Sequence, residues 1–362
     1  MSDAISSLRR VAALAIKETL QIVRDRATLG MLLGVPVLQL ILFGCAIELT
    51  PKKLPVTLVI SSDAQVRRVE RLLVHVSPGI EIRHVASLDD ALAELRRGTT
   101  LLAADLSADP RVAYLDASDP VTASFVEHAV ERAAASLATA EEPGESAVRI
   151  EPLFNPARRT QPFLVSGLLG LILSMTLVMM SALTVARERE RGTLDGLLTS
   201  AARPAEVWAG KILPYVALAA IQSTLVLIAA RLGFGIAVQG SLTLLYGATL
   251  VFAIANLSLG FMFSCLARQQ MQAMQMSFFF FLPSSLLSGF MFPFIAMPGW
   301  AQRIGEVLPL THFLRIVRGI MLRGVDASFV RRELLPIAAF ALTVTLFSLL
   351  AWRRTVRYGG GR

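Results

Sequence analysis

Long windows without a single Asp, Glu, Lys or Arg recur along this chain, and they decide what it can fold into. Leu29 to Ile47 is the first, Pro162 to Ala186 the second, Ile212 to Ala230 the third and Leu334 to Trp352 the last. About 20 apolar residues, rising roughly 1.5 Å each, cross a hydrocarbon core of about 30 Å, so every window is long enough to span. Two further uncharged stretches are too long for one crossing. In 232–267 the glycines Gly233, Gly235 and Gly240 mark a turn that leaves a helix over 242–266; in 269–302 Pro283, Pro293 and Pro298 interrupt the chain. With 54% hydrophobic and 17% charged residues, the composition does not suit an ordinary soluble domain. The pattern predicts a polytopic α-helical membrane protein with six transmembrane helices, at 29–47, 162–185, 212–230, 242–266, 271–290 and 334–352. The first window reads as a retained signal anchor, because paired charges precede it and no A-x-A-like cleavage site follows.

Charge sets the expected orientation. Segments 1–28 and 186–211, the short turn around Arg268 and the tail 353–362 hold 15 Lys and Arg against seven acidic residues, which is the entire net charge of +8. The positive-inside rule makes that face cytoplasmic, with both termini inside. A basic balance also suits nucleic-acid binding, but no basic stripe interleaved with aromatics occurs and no nucleic-acid partner is expected. Cys45 and Cys265 fall at opposite ends of their spans, a bilayer apart, and cannot pair.

Segment 48–160 is then an extracytoplasmic insertion large enough for its own core. Apolar strands are expected at 56–60, 80–85, 101–106, 112–115 and 148–154, with helices at 64–76, 88–97 and from Asp119 and Pro120 to about Ala140. Ser87, three residues ahead of Asp90, reads as an N-cap, and Gly98 as the stop of that helix. The alternation suggests a small α/β domain with a mixed sheet. His75, His84 and His128 lack ligand spacing, so no metal is expected.

In 1–28, Leu8, Val11, Ala12, Ala15, Ile16, Thr19, Leu20 and Val23 recur at three- and four-residue spacing with Arg9, Arg10, Lys17, Arg24 and Arg26 on the other faces. Such a helix lies in the membrane interface, and the same charges serve as a positive-inside flank. The spans themselves carry almost no ionisable group, which argues against an ion-coupled carrier. Gln39, Gln222, Asn256 and Gln275 are the amides left to line a path, one suited to hydrophobic or amphipathic cargo. Segment 291–333 combines apolar residues with repeated proline, and irregular backbone at membrane depth must be sheltered or line a cavity. A re-entrant outer hairpin meets that demand, with Gly289, Pro293, Met297, Pro298 and Pro309 as its gate. No G-x-x-x-x-G-K-[ST], H-E-x-x-H or G-x-S-x-G run occurs, so no catalytic residue is expected and any ATP and Mg would be held by another subunit.

Four stretches together resemble permeases of type-2 ABC exporters: Leu153 Phe154 Asn155 Pro156; Lys17 Glu18 with Arg24 Asp25; Glu188 through Leu198; and Leu287 Ser288 Gly289 Phe290 with Phe292 Pro293, Met297 Pro298, Leu308 Pro309 Leu310 and Arg318 Gly319. The match runs over essentially the whole chain and is similar to bacterial multidrug exporters with a domain inserted after span 1. Ala201 and Ala202 depart from it, as do Ile295 and Ala296. The resemblance implies an ABC ATPase partner that presses on segment 186–211, through Glu188, Glu190, Gly192, Thr193, Asp195, Leu197 and Leu198, and a helix carrying Lys17, Glu18, Arg24 and Asp25 along the inner surface. It also implies a second permease copy or sister permease, a bacterial cytoplasmic (inner) membrane location, and room for a periplasmic membrane-fusion adaptor. Export of lipid or polysaccharide is the alternative within this class; a membrane-anchored receptor or scaffold is the alternative outside it, and six spans without an inner signalling domain speak against the latter.

Overall fold

The computed structural model describes residues 2–24, 54–59, 80–105, 112–119, 122–124, 126–130, 149–155, 160–194, 196, 202–291, 294 and 297–359. The expectations for 29–47, 64–76 and Cys45 lie outside these residues.

Helix α1 (Ser2–Arg24) is amphipathic and precedes five short strands: β1 (Leu54–Val59), β2 (Ile80–Val85), β3 (Leu102–Asp105), β4 (Val112–Asp116) and β5 (Arg149–Leu153). The sheet order is β2-β1-β3-β4-β5, parallel except for the antiparallel β3 and β4 pair. Side chains alternate across it with the period of two that strands impose. Val56, Leu58, Leu102, Ala104, Ala113 and Leu115 form one face, packed on Ala123, Val126 and Ala129 of a helical stretch. The intervening Ala103 and Tyr114 form the other, against Ala91 and Leu95 of α2 (Leu88–Arg97). Ser87 caps α2 by accepting from Asp90 N, and Gly98 closes it at φ 69°.

Beyond the sheet the chain is helical: α3 (Thr160–Glu190), α4 (Pro204–Phe234), α5 (Leu242–Leu266), α6 (Gln270–Leu287), α7 (Gly299–Gly305), α8 (Pro309–Arg318), a π-helical turn (Gly319–Arg323) and α9 (Ala327–Gly359). Among the described residues four helices are long and apolar enough to cross a membrane: α3, α4, α5 and α9. The expected span at 271–290 corresponds to α6. It has 18 residues and is not one of the four, because Gln270, Gln272 and Gln275 dilute its first turns. Helix α5 is the central member, packed against α3 and α9. Phe252 stacks on Phe313 of α8 with ring centroids 4.0 Å apart, and a Cβ on Gly260 would collide with the backbone carbonyl of Val178 as well as Ser181 Oγ, so only glycine permits this approach of α5 to α3. Helices α4 and α9 instead leave Ile221, Ile228, Leu335, Leu342, Leu346 and Phe347 exposed, as helices bordering a hydrocarbon phase do.

Candidate functional site

Buried charge gathers where α1 crosses α3 and α4. Gly210 makes the crossing possible: a Cβ there would sit 2.6 Å from Leu14 Cβ and 3.2 Å from Val11 O. With the helices that close, α1 side chains reach the last turn of α3 and the first turns of α4. Lys17 Nζ stands 2.5 Å from Glu188 Oε1; Lys211 Nζ stands 3.1 Å from the same oxygen and 3.4 Å from Glu18 Oε2. Tyr215 donates to Glu18 Oε1 at 3.2 Å. About two turns back along α1, Arg10 grips Glu206 with two parallel bonds, Nε to Oε2 at 2.8 Å and Nη2 to Oε1 at 2.9 Å, the fork geometry that makes guanidinium-carboxylate pairs directional. Glu18, Glu188, Glu206 and Lys211 are all buried. Glu188 Oε2 has no hydrogen-bond partner among the described residues, so the cluster is held together by charge and not fully satisfied.

The segment read as a coupling surface therefore divides. Glu188 is turned inward and committed to Lys17 and Lys211, because two residues along a helix is about 200° of rotation and Glu188 and Glu190 cannot share a face. Glu190 is exposed and accepts from the backbone N and the side-chain Nε2 of Gln270, tying α3 to α6. Arg189 donates to the carbonyls of Cys265 and Ala267 at the end of α5. After α3, Gly192 adopts φ 67° with open space around it, Thr193 N donates back to Glu188 O at 3.0 Å, and Leu194 tucks in beside Val185, Val207 and Trp352. Asp195, Leu197 and Leu198 lie outside the described residues, as do Asp25, Gln39 and Pro293. Arg24 is the last residue of α1.

The amides separate as well. Asn256 is fully buried, accepting from Ser174 Oγ at 2.9 Å and donating to Phe252 O at 2.9 Å, a satisfied polar link between α3 and α5. Gln222 is buried within α4. Gln275 is exposed beside Met179, Met274, Phe278, Phe279 and Leu282 in an apolar recess of about 380 Å³.

At the far end of the helices, Gly289 bends the chain at φ 85° after α6, Gln302 donates to the carbonyls of Phe294 and Met297, Pro298 caps α7 and Pro309 opens α8. Arg315 pairs with Glu306 at 2.6 Å and Glu333 at 3.4 Å, and His312 with Glu333 at 2.7 Å. Burial alone would lower the Arg315 pKa, but its bonds and charge interactions with Glu306 and Glu333 raise it. The roles of Arg10, Glu206, Lys211 and Tyr215 are not among the expectations from sequence. Lys211, placed directly at a span boundary one helical turn from Tyr215, was the available signal.

These features define an integral membrane protein whose N-terminal helix is locked by ion pairs to the ends of two apolar helices. The chain belongs to the ABC-2 family of transporter proteins, whose family profile matches residues 26–353. It is 29% identical over 381 aligned positions, covering 99% of both chains, to the "Probable multidrug ABC transporter permease YbhS" of Escherichia coli K12. It is 31% identical over 214 positions to the permease YbhR of the same organism, covering 59% of this chain and 58% of that one. A eukaryotic relative, ABC transporter G family member 20 of Dictyostelium discoideum, is 29% identical over 175 positions, 48% of this chain and 24% of that protein. The protein is a transmembrane permease subunit of an ABC exporter.

Proposed function

We propose that this permease moves a hydrophobic or amphipathic small molecule, drug-like or lipid-like, out of the cytoplasm or inner leaflet of a bacterial cytoplasmic membrane, driven by ATP hydrolysis on a separate ABC ATPase. In this reading six spans carry the chain across, both termini are cytoplasmic, segment 48–160 is outside, and a second copy or sister permease completes the path. The observation that carries it is the single charge cluster joining α1, the end of α3 and the start of α4. A force on the exposed turn 191–193 reaches Glu188 within one helical turn, and through Lys17 and Lys211 it reaches both other helices at once. The recess around Gln275 and Phe279, apolar with one amide, suits amphipathic cargo better than ions.

The test is to reconstitute the chain in vesicles with the ABC ATPase encoded nearest its gene and follow ATP hydrolysis. Hydrolysis stimulated by the permease and uncoupled by Glu190→Lys is expected. Hydrolysis indifferent to both, or labelling that puts residues 60–140 in the cytosol, overturns the reading.

A further inference from the structure

A cavity of about 500 Å³ lies between the sheet unit and the α8 end of the helices. Five arginines line it: Arg97 from α2, Arg315 and Arg318 from α8, Arg323 from the π turn and Arg332 from α9. Two carboxylates, Asp119 and Glu333, line it with them. Two more neutralise particular arginines, since Glu306 holds Arg315 and Asp116 holds Arg323 at 2.6 Å. No carboxylate lies within ion-pair distance of Arg318 among the described residues, although the charge of Asp119 acts on it across the cavity.

The chemistry of Arg318 is specific. Its Nη1 donates to Gly289 O at 3.0 Å, and its guanidinium carbon sits 3.9 Å from the centroid of the Phe163 ring. Nε and Nη2 are buried without a hydrogen-bond partner among the described residues, and so is Nε of Arg323. Nε and Nη2 lie on one edge of the guanidinium, and that edge is the side-on fork which binds two oxygens of one oxyanion. Burying a charge with its donors unmet is costly, so such an arrangement persists where a ligand or strong packing compensates. Burial pushes the Arg318 pKa down to about 10, which still leaves it charged at neutral pH.

Position narrows the ligand. Phe163 and Glu188 are 25 residues apart on one continuous helix, about 37 Å, close to the thickness of a bilayer with its interfacial layers. With the Lys211 cluster at one membrane surface, the arginine cavity lies at headgroup depth on the other.

We propose that this cavity binds a phosphate group, gripped by the Nε and Nη2 edge of Arg318, with Arg323 Nε supplying a further donor and Arg97 and Arg332 further charge. The phosphate is that of an anionic phospholipid headgroup or a free phosphate. Either would be held where the sheet unit meets the helices, so binding would lock the two together. The proposal does not depend on which cargo the exporter moves.

The experiment uses the full-length chain purified in detergent and in nanodiscs. Thermal melts are recorded against inorganic phosphate, and native mass spectra against phosphatidylglycerol. Wild type is expected to show a saturable rise in melting midpoint with phosphate, or a discrete bound phosphatidylglycerol; the first outcome alone identifies free phosphate, the second a headgroup. Arg318→Gln should abolish the response, and Arg318→Lys, which keeps the charge and loses the fork, should weaken it by about tenfold or more. Arg332→Gln alters an exposed arginine at the rim, so it keeps the fold and should weaken binding even if Arg318→Gln does not fold. A wild-type protein with no saturable response to either probe, or unchanged affinity in Arg332→Gln and Arg318→Lys together, overturns the proposal.

Discussion

Lys211 Nζ lies 3.1 Å from Glu188 Oε1, with both side chains only 3% exposed. The same ammonium reaches Glu18 of α1, and Lys17 of α1 reaches back to Glu188. Two cations and two carboxylates thus form a neutral chain, Lys17 to Glu188 to Lys211 to Glu18, across three helices. Burying such a chain need not stabilise the fold relative to apolar packing, but breaking it is expensive, since a desolvated charge is left behind. The chain of charges therefore favours concerted motion of α1, α3 and α4 over independent motion of any one.

Lys211→Met leaves Glu18 without an ion-pair partner and Glu188 with Lys17 alone, and should cost about 3–5 kcal/mol, the usual penalty for removing one partner of a buried pair. Glu188→Gln should cost less, because the half-exposed Lys17 can turn to solvent and Lys211 keeps Glu18. Thermal unfolding of the purified protein followed by intrinsic fluorescence would rank them; equal losses would mean that Lys211 is not the shared centre of the cluster.

Gly210 gives a second prediction. Alanine already places a Cβ 2.6 Å from Leu14 Cβ, a main-chain-fixed atom that cannot swing away, so α1 must shift. Gly210→Ala should cost about 1–3 kcal/mol and Gly210→Leu more, with faster hydrogen exchange confined to α1. Unaltered exchange in α1 would show that the crossing is looser than described.

Much of this fold is legible from local pattern. Helix α5 begins at Leu242 because Ser241 caps it after the glycine turn, and α2 is bounded by Ser87 and Gly98, both visible as residue types at fixed offsets. The site is less so. A run alternating Glu and Arg from 188 to 191 looks uniformly solvated, yet the 100° step of a helix forces alternate members to opposite sides, and tertiary contact then decides that Glu188 goes in and Glu190 out. The burial of Arg318 is non-local in the same way: it depends on Phe163, Gly289 and the sheet, none adjacent to it in sequence.

Asn256 was read as a path-lining amide, and its geometry predicts a packing role. Asn256→Ala leaves the Ser174 hydroxyl buried without its acceptor and should lose about 1–3 kcal/mol, whereas Asn256→Leu with Ser174→Ala removes both polar groups and should recover most of that. A double-mutant cycle on melting midpoints measures the difference. Altered cargo selectivity at full stability would instead return Asn256 to the path.

The last prediction concerns pH. His312 Nδ1 faces Glu333 Oε2 at 2.7 Å and Nε2 faces Glu306 O at 2.8 Å, so both ring nitrogens meet acceptors and both can donate only when the ring is protonated. Burial by itself would lower the His312 pKa; the hydrogen bonds to Glu333 and Glu306 and the Glu333 charge outweigh it, against the opposing charge of Arg315, and the net shift is upward from 6.5. A folded-state pKa above the unfolded one means that this contribution is fully present below about pH 6.5 and is lost as pH rises through the elevated folded value. The contacts between α8 and α9 should therefore loosen on the alkaline side and not on the acid side of neutrality. Melting midpoints of wild type should fall between pH 6.5 and 9 by more than those of His312→Gln, which keeps a donor amide without a titrating proton. Parallel pH profiles for the two proteins would show that His312 takes up no proton on folding and that one nitrogen donates no bond of consequence.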